Sequence, residues 1–186
     1  MNTLVDETVV EELQTGGDEA IRLYVAACVE RTAPLFVGLR AGEAGREADV
    51  DLYAAAVGDL WRTDHPLPDA VERARLLERF PELRPTEEAS TGVVGSYTSL
   101  AGLVLRYALL ANASGSADRA VSCGHAALAA TDVLDRNLGG AAFRAEEHLL
   151  QARSVSGDAA GVWDASVSAG RERLRAALGS TAGGTR

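Results

Sequence analysis

The sequence predicts an all-α protein, a single-domain irregular bundle of six to eight helices. Three observations carry this. Of the 186 residues 34 are Ala, and all 18 basic residues are Arg, so helix-favouring side chains dominate. Apolar residues recur at steps of three and four within segments 12 to 25 residues long, and none of these segments alternates with the two-residue period of a strand. Gly, Pro and small polar clusters break the pattern at Gly16-Gly17, Gly42 to Gly45, His65 to Pro68, Pro81 to Pro85, Ala113 to Ser116, Gly139-Gly140 and Ser156-Gly157. The expected organisation is a short helix or arm over 1–17, a bundle over 18–178 and a disordered tail over 179–186.

The first long helix is expected from Asp18 as N-cap, with Ile21, Tyr24, Val25, Cys28, Thr32, Phe36 and Leu39 on its inward face. Pro34 lies inside this pattern and deprives a carbonyl one turn earlier of its donor, which predicts a kink or restart near Arg31 to Ala33. A second helix is expected over Asp49 to Trp61, with Leu52, Ala55, Ala56, Leu60 and Trp61 inward. A third runs over Pro68 to Phe80 with Val71, Ala74, Leu77 and Phe80 inward, Pro68 suiting the first turn. Val93 to Ala111 has Arg106 as its only charge and reads as the central helix. The Ala-rich segment Ala117 to Leu138 would pack closely beside it, or seal a homodimer. The last two helices, Ala141 to Ser154 and Ala159 to Leu178, carry Phe143, Leu149, Leu150, Val162, Trp163, Val167 and Leu174 as their apolar residues.

Twenty-seven acidic residues against 18 basic leave a net charge of −9, so the surface should repel nucleic-acid phosphates and anionic lipid headgroups. A basic protein partner fits this balance better. The N-terminus lacks the basic and apolar regions of a signal peptide, and the apolar stretch Leu103 to Ala111 is interrupted by Arg106, which together predict a cytoplasmic protein. Cys28 and Cys123 lie in apolar stretches and are expected as buried thiols.

No cofactor or metal is expected. A carboxylate-bridged metal pair needs Glu three residues before His on two helices, but Arg62, Ser122 and Ala145 hold that position before His65, His125 and His148. Ser96 lacks the glycine-flanked turn of a nucleophilic serine, and without Lys neither Schiff-base chemistry nor a phosphate-binding loop is available. Asp132 and Asp135 share a helical face, with Arg136 beside them, as on a solvated surface. The run Glu72 to Arg79 interleaves acids with Arg and reads as an ion-paired surface. Glu30 and Arg31 stand out more: in the middle of the most regular amphipathic helix, Arg31 is expected to satisfy the carbonyl freed by Pro34 or to pair with an acid from another helix, as a structural ion pair rather than a functional site.

The string Val25-Ala26-Ala27-Cys28-Val29-Glu30-Arg31-Thr32-Ala33-Pro34-Leu35-Phe36 resembles the Ala-Cys-x-Glu-Arg-x-x-Pro-x-aromatic segment of the YjaG-like bacterial family, a domain of unknown function. Tyr53 to Trp61, Ser96-Tyr97 with the apolar helix to Ala111, and Val121 to Leu134 follow in the family's order, so the likeness covers about residues 19–137. It implies an all-helical fold and brings no catalytic residues. Asp64 to Ser90 and Ala141 to Leu178 depart from the family pattern.

These readings converge on a non-enzymatic protein-binding protein, in one version an acidic immunity or antitoxin-like inhibitor of a basic partner. The rival is a small-molecule carrier or small enzyme with an apolar pocket lined by Tyr24, Cys28, Trp61, Tyr97 and Tyr107.

Overall fold

The computed structural model describes residues 4–84 and 92–183, with side chains to residue 179. Among them are eight α-helices, α1 (Glu7–Thr15), α2 (Gly17–Arg40), α3 (Glu47–Leu60), α4 (Ala70–Leu77), α5 (Val93–Ser114), α6 (Ala117–Leu138), α7 (Phe143–Ser156) and α8 (Ala159–Gly183), and one 3-10 turn, Pro81–Leu83. The class is all-α, and the breaks fall at the Gly and Pro clusters that predict them. Part of the Arg- and Pro-rich segment, 85–91, lies outside the described residues, as do 184–186 of the expected tail. Helix α8 continues past Leu178 to Gly183.

α5 is the packing centre. Its 22 residues are apolar enough to cross a membrane by length and composition, yet α5 packs chiefly against α6, α2 and α4, with Tyr97, Ala101, Val104, Leu105, Ala108 and Leu109 buried. α6 packs closely beside it, as its Ala-rich sequence predicts: Ala120, Ala127 and Ala130 are buried where α6 meets α5 and α2. In the core Phe36 of α2 stacks between Tyr53 and Phe80, with ring centroids 4.4 and 5.5 Å away.

Several expected faces rotate. α2 begins at Gly17, so Asp18 sits in its first turn, where a carboxylate suits the helix dipole, and does not cap it. The helix runs unbroken through Pro34, without the expected restart. The carbonyl that Pro34 leaves without a donor is that of Glu30, and α8 packs onto it at Gly170, where a methyl group would stand 2.8 Å from the oxygen. In α3 the buried face is Tyr53, Ala56 and Leu60, with Ala55 exposed and Leu52 half-buried. In α4 Val71 is exposed, because Ala70, Ala74 and Leu77 already fill the space against the core.

The largest departure is α7. Leu149 is 74% exposed, whereas the buried residues are Glu147, Gln151 and Ser154. Trp163 of α8 likewise faces outward. A polar face can point inward only where another element supplies hydrogen-bonding and charged partners. α2 supplies them.

Candidate functional site

Three helices bring polar side chains to one buried locus at helical spacing. α2 contributes Tyr24, Cys28 and Arg31; α7 contributes Glu147, Gln151 and Ser154; α8 contributes Ser166 and Arg173. All are at most 1% exposed. Arg31 and Glu147 form a two-point pair, Nε to Oε2 at 2.8 Å and Nη2 to Oε1 at 2.9 Å. Arg31 Nη1 donates to Ser154 Oγ at 3.2 Å and Ser166 Oγ at 3.3 Å, and Nη2 also reaches Cys28 Sγ at 3.3 Å.

Arg173 approaches the same carboxylate from α8. Its Nη2 lies 2.9 Å from Glu147 Oε2, at ion-pair distance but misaligned for a hydrogen bond, and its Nη1 donates to the Arg31 carbonyl at 3.5 Å. Two buried guanidinium groups therefore share one buried carboxylate, and a second acid, the half-exposed Glu146, stands 3.7 Å from Arg173 at the edge. Gln151 completes the arrangement: its Nε2 donates to Glu147 Oε1 at 2.9 Å and to the Gly124 carbonyl at 3.1 Å, and its Oε1 accepts from the Tyr24 hydroxyl at 2.9 Å. Gly124 is the only residue that leaves room for this hydroxyl, since a methyl there would overlap it.

Burial alone would raise the Glu147 pKa, but Arg31 and Arg173, helped by hydrogen bonds from Arg31 and Gln151, bring it down to about 2. Burial also works against the charge of Arg31, and the adjacent Glu147 more than offsets it, so the guanidinium is held charged. Burial pushes the Tyr24 hydroxyl and the Cys123 thiol up, keeping both protonated. Chemically this is a latch: the ionised carboxylate is engaged on both oxygens, and its charges tie α7 and α8 to α2.

The expected pocket residues separate into distinct environments. Tyr24 and Cys28 belong to the latch, where Cys28 lies against Cys123 of α6. Trp61 is half-buried, its indole N–H donating to Glu30 Oε2 at 2.9 Å. Tyr97 sits in a second apolar cluster with Leu35, Leu134 and Ala177, and Tyr107 packs half-buried on the main core. Glu30 and Arg31 thus take separate partners, Trp61 and Glu147. Glu147, Gln151, Ser154 and Arg173 carry the site without having been expected there. For the three on α7 the spacing, polar residues at steps of four and three, was the available signal.

Asp135 is not on a solvated face. Its carboxylate accepts the backbone N–H groups of Phe143 and Arg144 at 2.9 and 3.0 Å, satisfying two free donors at the start of α7. Asp132 pairs with Arg136 at 3.1 Å. Both aspartates border a recess of about 580 Å³ with Arg144 and His148. Among the described residues no group of three or more His, Cys, Asp or Glu is placed to hold a metal ion.

On the outer side of α8, Trp163, Asp164, Val167, Ser168, Arg171 and Arg175 line a groove of about 300 Å³. No protein-family model, curated protein or solved structure matches the chain.

Proposed function

We propose that the chain is a non-enzymatic, cytoplasmic protein-binding protein. The observation that supports this is how its side chains divide. Tyr24, Cys28, Arg31, Glu147, Gln151 and Arg173, the groups a catalytic site would draw on, are buried and engaged with one another. The indole of Trp163 and the guanidinium groups of Arg171 and Arg175 stand on the surface instead. Trp and Arg are the residue types that most often dominate protein–protein contacts. The net charge of −9 draws basic surfaces at long range, which favours an immunity or antitoxin-like inhibitor of a basic protein. Tagged protein purified from its own host at low salt should carry a stoichiometric protein partner that dissociates as salt is raised. Recovery of the free chain alone overturns the reading.

A second reading, a small-molecule carrier, is favoured by a mainly apolar recess of about 340 Å³ between α2, α3 and α8, lined by Ala33, Pro34, Val37, Ala54, Val57 and Leu174 with Glu30 as its one charged residue. Native mass spectrometry of the same preparation distinguishes it, as a bound small molecule would add a discrete mass.

A further inference from the structure

Most arginines of this chain have a carboxylate in reach: Arg22, Arg31, Arg40, Arg46, Arg62, Arg73, Arg106, Arg136, Arg144 and Arg173 all form ion pairs. Among the described residues Arg75, Arg79, Arg84, Arg119, Arg153, Arg171 and Arg175 form none, and of these Arg171 and Arg175 lie one turn apart on the stripe of α8 that also carries Trp163 and Val167. Trp163 is 47% exposed, and its indole N–H has no acceptor among the described residues. The other Trp has one, in Glu30. One helix face therefore combines a large exposed aromatic ring, an aliphatic neighbour and two cations with unused hydrogen-bond donors. Against them within the groove stands the single carboxylate of Asp164, with Glu172 on the adjacent exposed position.

We propose that this face of α8 binds a short acidic peptide segment of a partner protein, an aliphatic or aromatic side chain seated on Trp163 and Val167 and carboxylates paired with Arg171 and Arg175. Charge complementarity selects this occupant. Exposed guanidinium groups pair with carboxylates in two-point geometry, and a ring beside them supplies the desolvated anchor that such pairs need. A nucleic-acid strand fits less well, since it carries a charge on every nucleotide and would set phosphates against Asp164 and Glu172, whereas a peptide can place its carboxylates at Arg171 and Arg175 alone. The inference rests on the protein-binding reading above and reverses, at the contact itself, the sign of partner that the net charge favours.

The test is selection from a random 12-residue phage-displayed peptide library, with the intact protein and the variant Arg171→Gln/Arg175→Gln as baits. The intact protein should enrich peptides holding at least two Asp or Glu beside an apolar residue, and the variant, whose substitutions are exposed and leave the thermal midpoint unchanged, should not. Trp163→Ala should weaken the best peptide about 30-fold or more. Enrichment of basic or neutral peptides, no enrichment, retention by the double variant, or tighter binding of a labelled single-stranded DNA 12-mer would each overturn the inference. Host co-purification separates its failure from that of the parent reading. A partner kept equally well by both baits sinks the α8 surface alone, and no partner with either sinks protein binding as well.

Discussion

Glu147 is the residue on which the interior turns. Glu147→Gln keeps the side chain's shape but leaves Arg31 and Arg173 buried without their carboxylate, and should cost about 3–5 kcal/mol in urea denaturation. The same group sets an acid limit. Its pKa is about 2 in the folded protein against an ordinary 4.5, so its contribution is complete above pH 4.5 and is lost as the pH falls towards 2. The shift corresponds to about 3 kcal/mol. Urea midpoints measured from pH 6 to pH 2 should fall over this window for the native sequence, and E147Q should flatten that part of the fall. Arg31 is legible in the sequence because a charge inside an apolar helical stripe must have a partner. Glu147 is not, because Glu146, Glu147 and His148 read together as a polar surface beside Leu149 and Leu150. Periodicity reports which stripe is apolar and assumes that the apolar one faces inward, and α7 violates that assumption.

At the scale of elements, helix positions follow from punctuation, and helix faces follow only where the core is apolar. α5 and α6 match their expected spans to within three residues, since Gly and Ser bracket strongly periodic stretches. The contacts that lock helices together depend on absent side chains, which no pattern of apolar residues announces. Gly170→Ala would press a methyl onto the Glu30 carbonyl and the Pro34 ring, neither of which can rotate away, and should destabilise by about 1–3 kcal/mol. Gly38→Ala meets only the tip of Leu174, a side chain with rotamers to spare, and should cost less. Comparing the two by thermal denaturation tests whether α8 is held by backbone contact. On α6, Gly124→Ala should lower stability by displacing the Tyr24 hydroxyl, and adding Tyr24→Phe should restore part of the loss. Full additivity of the two substitutions would contradict that account.

Over the whole molecule, a single core seals both cysteines. Cys28 and Cys123 are wholly buried, and the intact protein should leave an aromatic disulfide reagent unreacted while the denatured chain releases two equivalents. Rapid reaction in the native state would mean that α2 and α6 separate readily. The latch has a further consequence, in the order in which the chain is made. Arg31 precedes Glu147 by 116 residues and takes its hydrogen bond from Arg173 across 142. At about 5–20 residues per second, the α2 guanidinium waits roughly 6–23 s on the ribosome before a counter-charge exists. Closure around α2 thus waits until residue 147 has been made, and a nascent chain stalled before that residue has a centre it cannot complete. Such a product stays open to proteases, so this one distant carboxylate makes the folded state contingent on synthesis that reaches it.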